Sequence, residues 1–244
     1  MKYEFHPERL AYWYLRLNGF LTIENFIVHD EGGRAQRTDV DLVAFRLPYR
    51  REAFREHGGN AEWMTDDPRF SDKSTPFAAF VEVTTGQCKL NGPWTDPAKE
   101  NVPRAIRALG AFSTRKEVEC ASKHFYATGR YVSDVLELGL ISIGATPNPE
   151  LGAHLPNVMQ IVWDEVLGFI FDRFTAFERT KREHPQWDLD GHLLWHVFQE
   201  HRGDKAAFAS SFVLIATQPG SLEIQTYCRS RIYRQARPAA PARL

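Results

Sequence analysis

One short stretch, Phe77 to Thr84, constrains the fold more than any other part of the chain. It is apolar at nearly every position, and its length is typical of a β-strand. A strand that is apolar on both sides is buried on both faces, so helices must cover the sheet above and below it. A single carboxylate, Glu82, interrupts the stretch. The sequence therefore predicts an α/β fold with Glu82 placed inside the sheet.

Other periodic segments predict that the central sheet is mixed and that helices flank it. Residues 7–18 have apolar side chains at helical spacing, with Pro7 in the first turn and Gly19 as the stop. The remaining predicted elements are strands at 20–28, 38–45, 136–144 and 159–163, a turn at 30–37, and helices at 95–99, 101–112, 164–181 and 191–200. Residues 46–76 are polar and rich in proline and glycine, which predicts a long excursion from the sheet.

The 244 residues fit one α/β domain with an added C-terminal part. We expect residues 1–182 to form the core and residues 183–233 to form a mainly helical extension packed on that core. Residues 234–244 are rich in alanine, proline and arginine, which predicts a disordered tail.

Composition narrows the function classes. The formal net charge is −1, so nucleic acid would have to bind at a local basic patch rather than to the molecule as a whole. Three scattered cysteines predict neither a disulfide framework nor a cysteine zinc site, and they favour a reducing, cytoplasmic compartment. No stretch approaches the roughly 20 apolar residues that span a bilayer, so no membrane association is expected.

Two carboxylates, Asp41 and Glu82, stand out because they interrupt apolar strands. Asp41 lies in the strand predicted at 38–45, on the same face as Asp39. An ionised carboxylate in such a strand is costly unless it is paired or binds a metal ion. One explanation is that both acids pair with arginines as structural ion pairs. The other is that they hold Mg²⁺, which prefers oxygen ligands and retains several waters.

The order of these elements and acids resembles the PD-(D/E)XK nuclease superfamily, which includes restriction enzymes and RecB-type nucleases. The family's helix glutamate matches Glu8, its second-strand aspartate matches Asp41, and its third-strand glutamate matches Glu82. The resemblance covers residues 7–112 and extends to about 180. It implies a restriction-endonuclease-like core and a Mg²⁺-dependent endonuclease acting on DNA, for which Mn²⁺ substitutes. Asp41 and Glu82 would hold the metal ion, and Glu8 would assist through water.

One position departs from the family pattern. The motif requires a lysine two residues after the glutamate, and this chain has Thr84 there. The missing ammonium would normally orient the attacking water and offset charge in the transition state. Lys89 is the nearest lysine, and a turn at Gly86 would bring it back towards the site. Lys89 is therefore the candidate catalytic lysine, with a solvated loop residue as the alternative.

Candidate phosphate-binding residues are Arg104 on the helix after the third strand and Arg50 and Arg51 in the excursion. The guanidinium group suits phosphate geometry, and the excursion contains a dense run of arginines. A solvated surface explains that run equally well. Asn101, just before Val102 and Pro103, is interpreted as a helix N-cap.

Two other functions stay open. A nuclease fold that has lost catalysis would bind nucleic acid or a protein partner, and a homodimer is compatible with either function. A zinc hydrolase would use His192 and His196, which are four residues apart on a predicted helix, with His184 and Asp188 nearby. Their apolar neighbours favour a packing helix instead.

Overall fold

A mixed six-stranded sheet with helices on both faces forms the centre of the molecule. The computed structural model describes residues 2–29, 36–57, 60–71, 74–178, 187–218 and 221–227. The helices are α1 (Pro7–Leu17), α2 (Gly92–Thr95), α3 (Asn101–Leu109), α4 (Arg115–Thr128), α5 (Pro149–His154), α6 (Trp163–Phe177), α7 (Leu189–Glu200) and α8 (Lys205–Ser210). The strands are β1 (Lys2–Phe5), β2 (Leu21–His29), β3 (Gln36–Arg46), β4 (Ala53–His57), β5 (Asn60–Trp63), β6 (Phe77–Val83), β7 (Arg130–Val132), β8 (Glu137–Gly144), β9 (Met159–Val162), β10 (Phe212–Gln218) and β11 (Ser221–Tyr227).

The central sheet has the mixed topology expected of an α/β fold. Strands β2, β3 and β6 form an antiparallel meander. A crossover containing α3 and α4 then leads to β8, which runs parallel to β6. Along its other side, β8 pairs antiparallel with β7 and, further on, parallel with β9. The α/β class and the mixed sheet predicted from the sequence are confirmed.

Alternation along β6 divides its side chains between two hydrophobic cores. Phe77, Ala79 and Val81 face a core shared with α1, α6 and α7, which we call the α1/α6 core. Ala78 and Phe80 face the opposite core, shared with α3 and α4, which we call the α3/α4 core. Every residue of β6 is buried, as its apolar sequence predicts. By the same alternation Glu82 lies on the α3/α4 side of the sheet.

Helix α4 was not predicted from the sequence, although its start carries a recognisable signal. The Thr114 hydroxyl accepts a hydrogen bond from the Glu117 backbone N–H, and the Glu117 carboxylate accepts one from the Thr114 backbone N–H. This reciprocal arrangement is a capping box. The helix ends at Gly129, whose φ of 80° is left-handed.

The excursion between β3 and β6 is fixed to the core by buried ion pairs. It contains the β4–β5 hairpin, which was not predicted. Asp66 accepts hydrogen bonds from Arg46 at 2.6 Å, from Arg50 at 2.6 Å and from Arg173 of α6 at 2.7 Å. Both Arg46 and Arg173 are almost completely buried. These arginines therefore hold the excursion against the sheet and α6.

The C-terminal part packs on the α1/α6 core and contains strands as well as helices. Side chains of α7 and α8, including Leu194, Phe198 and Phe208, join that core. Strand β11 pairs with β10 on one side and with the N-terminal strand β1 on the other, in a separate three-stranded sheet. The described part of the extension therefore contains the helices α7 and α8 together with the strands β10 and β11. The predicted boundary at 182 and the predicted tail at 234–244 lie outside the described residues. Among the described helices, none is long and apolar enough to cross a membrane.

Candidate functional site

Asp41 lies where the pairing between β3 and β6 ends. The ladder runs from Arg46 opposite Phe77 to Leu42 opposite Val81, and continuing this register by one residue would place Asp41 opposite Glu82. Beyond that point the Asp41 side chain, through Oδ2, accepts a 2.7 Å hydrogen bond from the Val83 backbone N–H. The bond fixes the Asp41 carboxylate beside the strand that carries Glu82.

Glu82 is buried, with 3% of its surface exposed, and two donors hold its carboxylate. The indole Nε1–H of Trp94 donates to Oε1 at 2.8 Å, and the backbone N–H of Asn91 also donates to this carboxylate. Both donors come from the segment that follows Gly86. A further hydrogen bond ties that segment to the sheet. Ser142 pairs with Glu82 across β6 and β8, and its hydroxyl donates to the Lys89 carbonyl at 2.9 Å.

The two carboxyls have raised pKa values because Glu82 is buried, Asp41 is half-buried, and other acids lie nearby. Burial, and then the nearby Asp41 charge, raise the pKa of Glu82 to about 8, against the hydrogen bonds from Trp94 and Asn91. Burial raises the pKa of Asp41 to about 6, and the charges of Glu8 and Asp39 add to this effect. The structure therefore brings together Glu8, Asp41 and Glu82, the three acids singled out from the sequence, and adds Asp39.

Structural ion pairing does not account for these acids. Within the part of the chain that the structure describes, neither Glu8, Asp41 nor Glu82 has a salt-bridge partner. No lysine or arginine is among the main influences on the pKa of Asp41 or Glu82. Buried carboxyls without a counter-charge are costly, and they are stabilised either by a proton or by a bound cation.

The donor set fits a hard divalent cation but is not a complete cage. Among the described residues there is no group of three or more His, Cys, Asp or Glu side chains arranged to hold a metal ion. Asp41 and Glu82 would supply two carboxylate ligands, and water would complete the coordination, as is usual for Mg²⁺. Glu8 and Asp39 are close enough for their charges to act on Asp41.

The structure does not place a positively charged side chain at the position of the motif lysine. Thr84 is buried, and its hydroxyl accepts a 3.3 Å hydrogen bond from the Gly86 backbone N–H. The chain does fold back after Gly86, as expected, but the Lys89 side chain is exposed to solvent. Its assignment as the catalytic lysine stays a prediction.

Of the candidate phosphate-binding arginines, Arg50 and Arg51 line the same cavity, and Arg104 of α3 is not part of that lining. Arg104 pairs with Glu100 at 3.0 Å and donates to the Lys99 carbonyl at 3.1 Å. Arg50 is engaged by Asp66 and by Glu52, each at 2.6 Å. Arg51 is exposed, and its guanidinium lies 6.0 Å from the centre of the Trp63 ring.

The N-cap interpretation of Asn101 is wrong. Helix α3 is capped by Glu100, which has left-handed backbone angles and makes no side-chain cap bond. Asn101 is the first helical residue and is buried, with 2% of its surface exposed, and its Oδ1 has no hydrogen-bond partner among the described residues. The left-handed turn at Glu100 shifts the helix start by one residue and directs Asn101 inward.

The histidine pair of α7 has no described third ligand. Burial, and then the neighbouring His192, lower the pKa of His196. Asp188 caps the helix by accepting from the Gly191 backbone N–H at 2.8 Å, and it pairs with Arg9. His184 lies outside the described residues. A zinc centre at this helix therefore has no support from the described residues.

Sequence reasoning missed two neighbours of the site. Asn25 of β2 lies opposite Asp41, because the flanking pairs are Glu24–Leu42 and Phe26–Val40. The backbone of Asn25 is left-handed, with a φ of 51°. No sequence signal marks this position. Trp94 was also missed, although a lone tryptophan in a short polar loop after an acid-bearing strand is a usable signal for a donor to that acid.

Two cavities lie at the other end of the sheet from the acids. One, of about 410 Å³, is lined by residues that include Arg46, Arg50 and Trp63. The other, of about 640 Å³, is lined by residues that include Arg69 and Glu137. Asp41 and Arg46 are five residues apart on β3, roughly 16 Å along a strand. Neither cavity therefore belongs to the acid cluster.

Comparison of the chain with protein-family models, with curated proteins and with solved structures finds no match. The function must accordingly be inferred from the geometry and chemistry of the molecule itself.

Proposed function

We propose that this chain is a Mg²⁺-dependent nuclease of the PD-(D/E)XK type that hydrolyses phosphodiester bonds in DNA. The observation that carries the proposal is the pair Asp41 and Glu82. They lie side by side on neighbouring strands, they have no counter-charge among the described residues, and their pKa values are raised to about 6 and about 8. A divalent cation is the ligand that relieves this arrangement.

Element order supports the same proposal. A helix bearing Glu8 precedes a meander in which the second strand carries Asp41 and the third carries Glu82. A helical crossover then leads to a strand parallel to the third. This is the order in which a restriction-endonuclease-like core presents its acids, and here the three acids are also neighbours in space.

Each residue would have a distinct task. Asp41, fixed by the Val83 backbone N–H, and Glu82, held by Trp94 and Asn91, would bind the cation and set its position relative to the sheet. When bound, Mg²⁺ polarises a phosphoryl oxygen and lowers the pKa of an attacking water. Glu8 would orient water at the edge of the site. Lys89 would supply the positive charge that is missing at Thr84 when its flexible side chain turns towards the phosphate.

A second candidate function is a nuclease fold without catalysis that binds nucleic acid or a protein partner. The observation that favours it is Thr84. Its buried hydroxyl is used by the Gly86 backbone N–H, so the place of the motif lysine has a local structural role instead of a positive charge.

DNA cleavage assays test the proposal. Supercoiled, linear, branched and single-stranded DNA should be incubated with the protein in Mg²⁺, in Mn²⁺ and in EDTA. Cleavage is expected with either cation and not in EDTA, and Asp41→Asn should abolish it. Asp134→Asn, an exposed aspartate in a loop, is the matched control and should cleave like the parent. Cation binding without cleavage of any substrate would favour the inactive scaffold, whereas absence of both would contradict the proposal.

A further inference from the structure

The cavity of about 410 Å³ beside the β4–β5 hairpin is a second site with chemistry of its own. It lies between the end of β3 and the segment that follows β5, and Arg46, Arg50, Arg51, Trp63 and Ser74 are among its lining residues. Its size is within the range of small-molecule sites. It differs from the acid cluster in charge and in place, since it lies at the end of β3, five residues beyond Asp41.

Positive charge exceeds negative charge around this cavity. Asp66 accepts from Arg50 and Arg173 through Oδ1 and from Arg46 through Oδ2. Glu52 is the second acid, paired with Arg50 at 2.6 Å and lying 3.7 Å from Arg173. Among the residues that line the cavity, Arg46, Arg50 and Arg51 carry guanidinium groups, and Asp66 alone carries a carboxylate. An anion would balance the remaining positive charge.

Two arginines retain donors for such an anion. Arg51 is exposed and has no ion pair with any described residue. Arg46 is 3% exposed, and it donates to the Asn18 carbonyl through Nε and to Asp66 through Nη2. The Nη1 group of Arg46 therefore remains as a donor within the described structure. A guanidinium group with unused N–H donors recognises phosphate oxygens well.

An aromatic surface lies next to these donors. Trp63 lines the cavity with half of its surface exposed, and Arg51 is positioned over its ring at 6.0 Å. An exposed tryptophan ring stacks favourably on a planar base, by about 1–3 kcal/mol per base in single-stranded nucleic-acid sites. Arg51 and Trp63 thus combine, within one cavity, a group that binds phosphate and a group that binds a planar ring.

We propose that this cavity binds a phosphate ester that carries a planar base, supplied either by a free nucleotide or by the phosphorylated end of a nucleic-acid strand. The phosphate contacts Arg51 and Arg46, and the base stacks on Trp63. Because Arg46 at the cavity lies five residues from Asp41 along β3, roughly 16 Å, binding needs neither a divalent cation nor the Asp41 carboxylate. The proposal therefore stands or falls independently of the nuclease proposal.

Calorimetric titration in EDTA tests this site. AMP is the principal probe, with adenosine and inorganic phosphate as partial ligands and a short oligonucleotide, with and without a 5′-phosphate, as the second source of the same chemistry. Arg51→Gln and Trp63→Leu are the test variants. Arg107→Gln is the matched control, because Arg107 is an exposed arginine on α3 outside the cavity lining.

We expect AMP to bind the parent, Arg107→Gln and Asp41→Asn with equal affinity, and adenosine to bind at least tenfold more weakly. Arg51→Gln should weaken AMP about tenfold or more, as expected for the loss of a charge-assisted contact. Trp63→Leu should weaken AMP but leave inorganic phosphate unchanged. Tighter binding of the 5′-phosphorylated oligonucleotide than of AMP would identify a strand end as the source, and the reverse order would identify a free nucleotide. Equal binding of AMP and adenosine, no effect of Arg51→Gln, or no AMP binding would overturn the proposal.

Discussion

The indole N–H of Trp94 donates a 2.8 Å hydrogen bond to Oε1 of Glu82, while the Trp94 ring stacks on Phe80 with centroids 5.4 Å apart. Phe80 precedes Glu82 by two residues, so both side chains lie on the α3/α4 face of the same strand. Through these two contacts Trp94 covers the acid and also donates a hydrogen bond to it. Glu82 is consequently buried, yet its carboxylate keeps two donors that favour the charged form.

Trp94→Phe should make Glu82 harder to ionise. In the parent, the hydrogen bond from the indole lowers the pKa of Glu82. The substitution removes this bond but keeps an aromatic ring against Phe80. The pKa of Glu82 should then rise above its value of about 8. Because a cation competes with the proton for this carboxylate, the pH at which Mn²⁺ binding reaches half of its maximum should rise too. Trp63→Phe is the control, and an unchanged pH midpoint in Trp94→Phe would show that the indole bond does not tune Glu82.

Glu82→Gln should change how stability depends on pH. The folded-state pKa of Glu82, about 8, lies above its ordinary value of 4.5, so between these values the folded protein binds a proton that the unfolded chain has lost. The free energy of unfolding therefore decreases as pH rises through this window. Glutamine does not titrate, so the variant escapes this loss. The difference in free energy of unfolding between the variant and the parent should therefore increase from pH 5.5 to pH 8.5 in favour of the variant, by on the order of a few kcal/mol.

Urea unfolding at the two pH values measures this gain. Glu119→Gln, a change at an exposed glutamate of α4, should give the same difference from the parent at both pH values. Mn²⁺ should restore stability to the parent at pH 8.5 and should have a smaller effect on Glu82→Gln. A constant difference between Glu82→Gln and the parent across the pH range would contradict the raised pKa.

Lys89→Met tests whether this lysine replaces the one missing at Thr84. The Lys89 side chain is exposed, and the bond that ties this residue to the sheet is made by its carbonyl with Ser142. Folding and Mn²⁺ binding should therefore be unchanged. DNA cleavage should fall by about 100-fold or more, the scale of losing one electrostatic partner of the transition state. Lys116→Met, at another exposed lysine, should cleave like the parent, and equal rates for both variants would place the catalytic cation elsewhere.

Asp66→Asn should destabilise the protein strongly. The Asp66 carboxylate pairs with Arg46, Arg50 and Arg173, and two of these arginines are almost completely buried. Removing one partner of a buried ion pair leaves uncompensated charge and typically costs about 3–5 kcal/mol. Urea unfolding should show a loss of this size, whereas Asp134→Asn should lie close to the parent. A loss below about 0.5 kcal/mol, the range of ordinary surface substitutions, would mean that this network does not hold the excursion.

Local patterns predicted the parts of the fold that local physics determines. Alternation placed Asp41 and Glu82 in neighbouring strands of one sheet, because the side-chain period of two reports directly on strand faces. Helical spacing and Gly19 located α1. Helix α4 was missed although Thr114 and Glu117 form a capping box, so in that case the signal was present in the sequence and was not used.

Other features depend on contacts that no local pattern records. Strand β1 pairs with β11 from the far end of the chain, and neither strand marks its partner in sequence. The arginines of the excursion were visible as charge, but their partner Asp66 and the contribution of Arg173 from α6 became apparent only in the folded structure. The same holds for Asn25, whose position opposite Asp41 follows from strand register alone.

Calorimetric titration with Mn²⁺ tests the central claim, that Asp41 and Glu82 together bind a divalent cation. The parent should bind Mn²⁺ near neutral pH with release of protons, because the raised pKa of Glu82, about 8, leaves this carboxyl largely protonated before the cation enters. The heat should therefore vary with the ionisation enthalpy of the buffer. Asp41→Asn should show no binding, and Asp134→Asn should bind like the parent. Equal Mn²⁺ binding by the parent and Asp41→Asn would contradict the account.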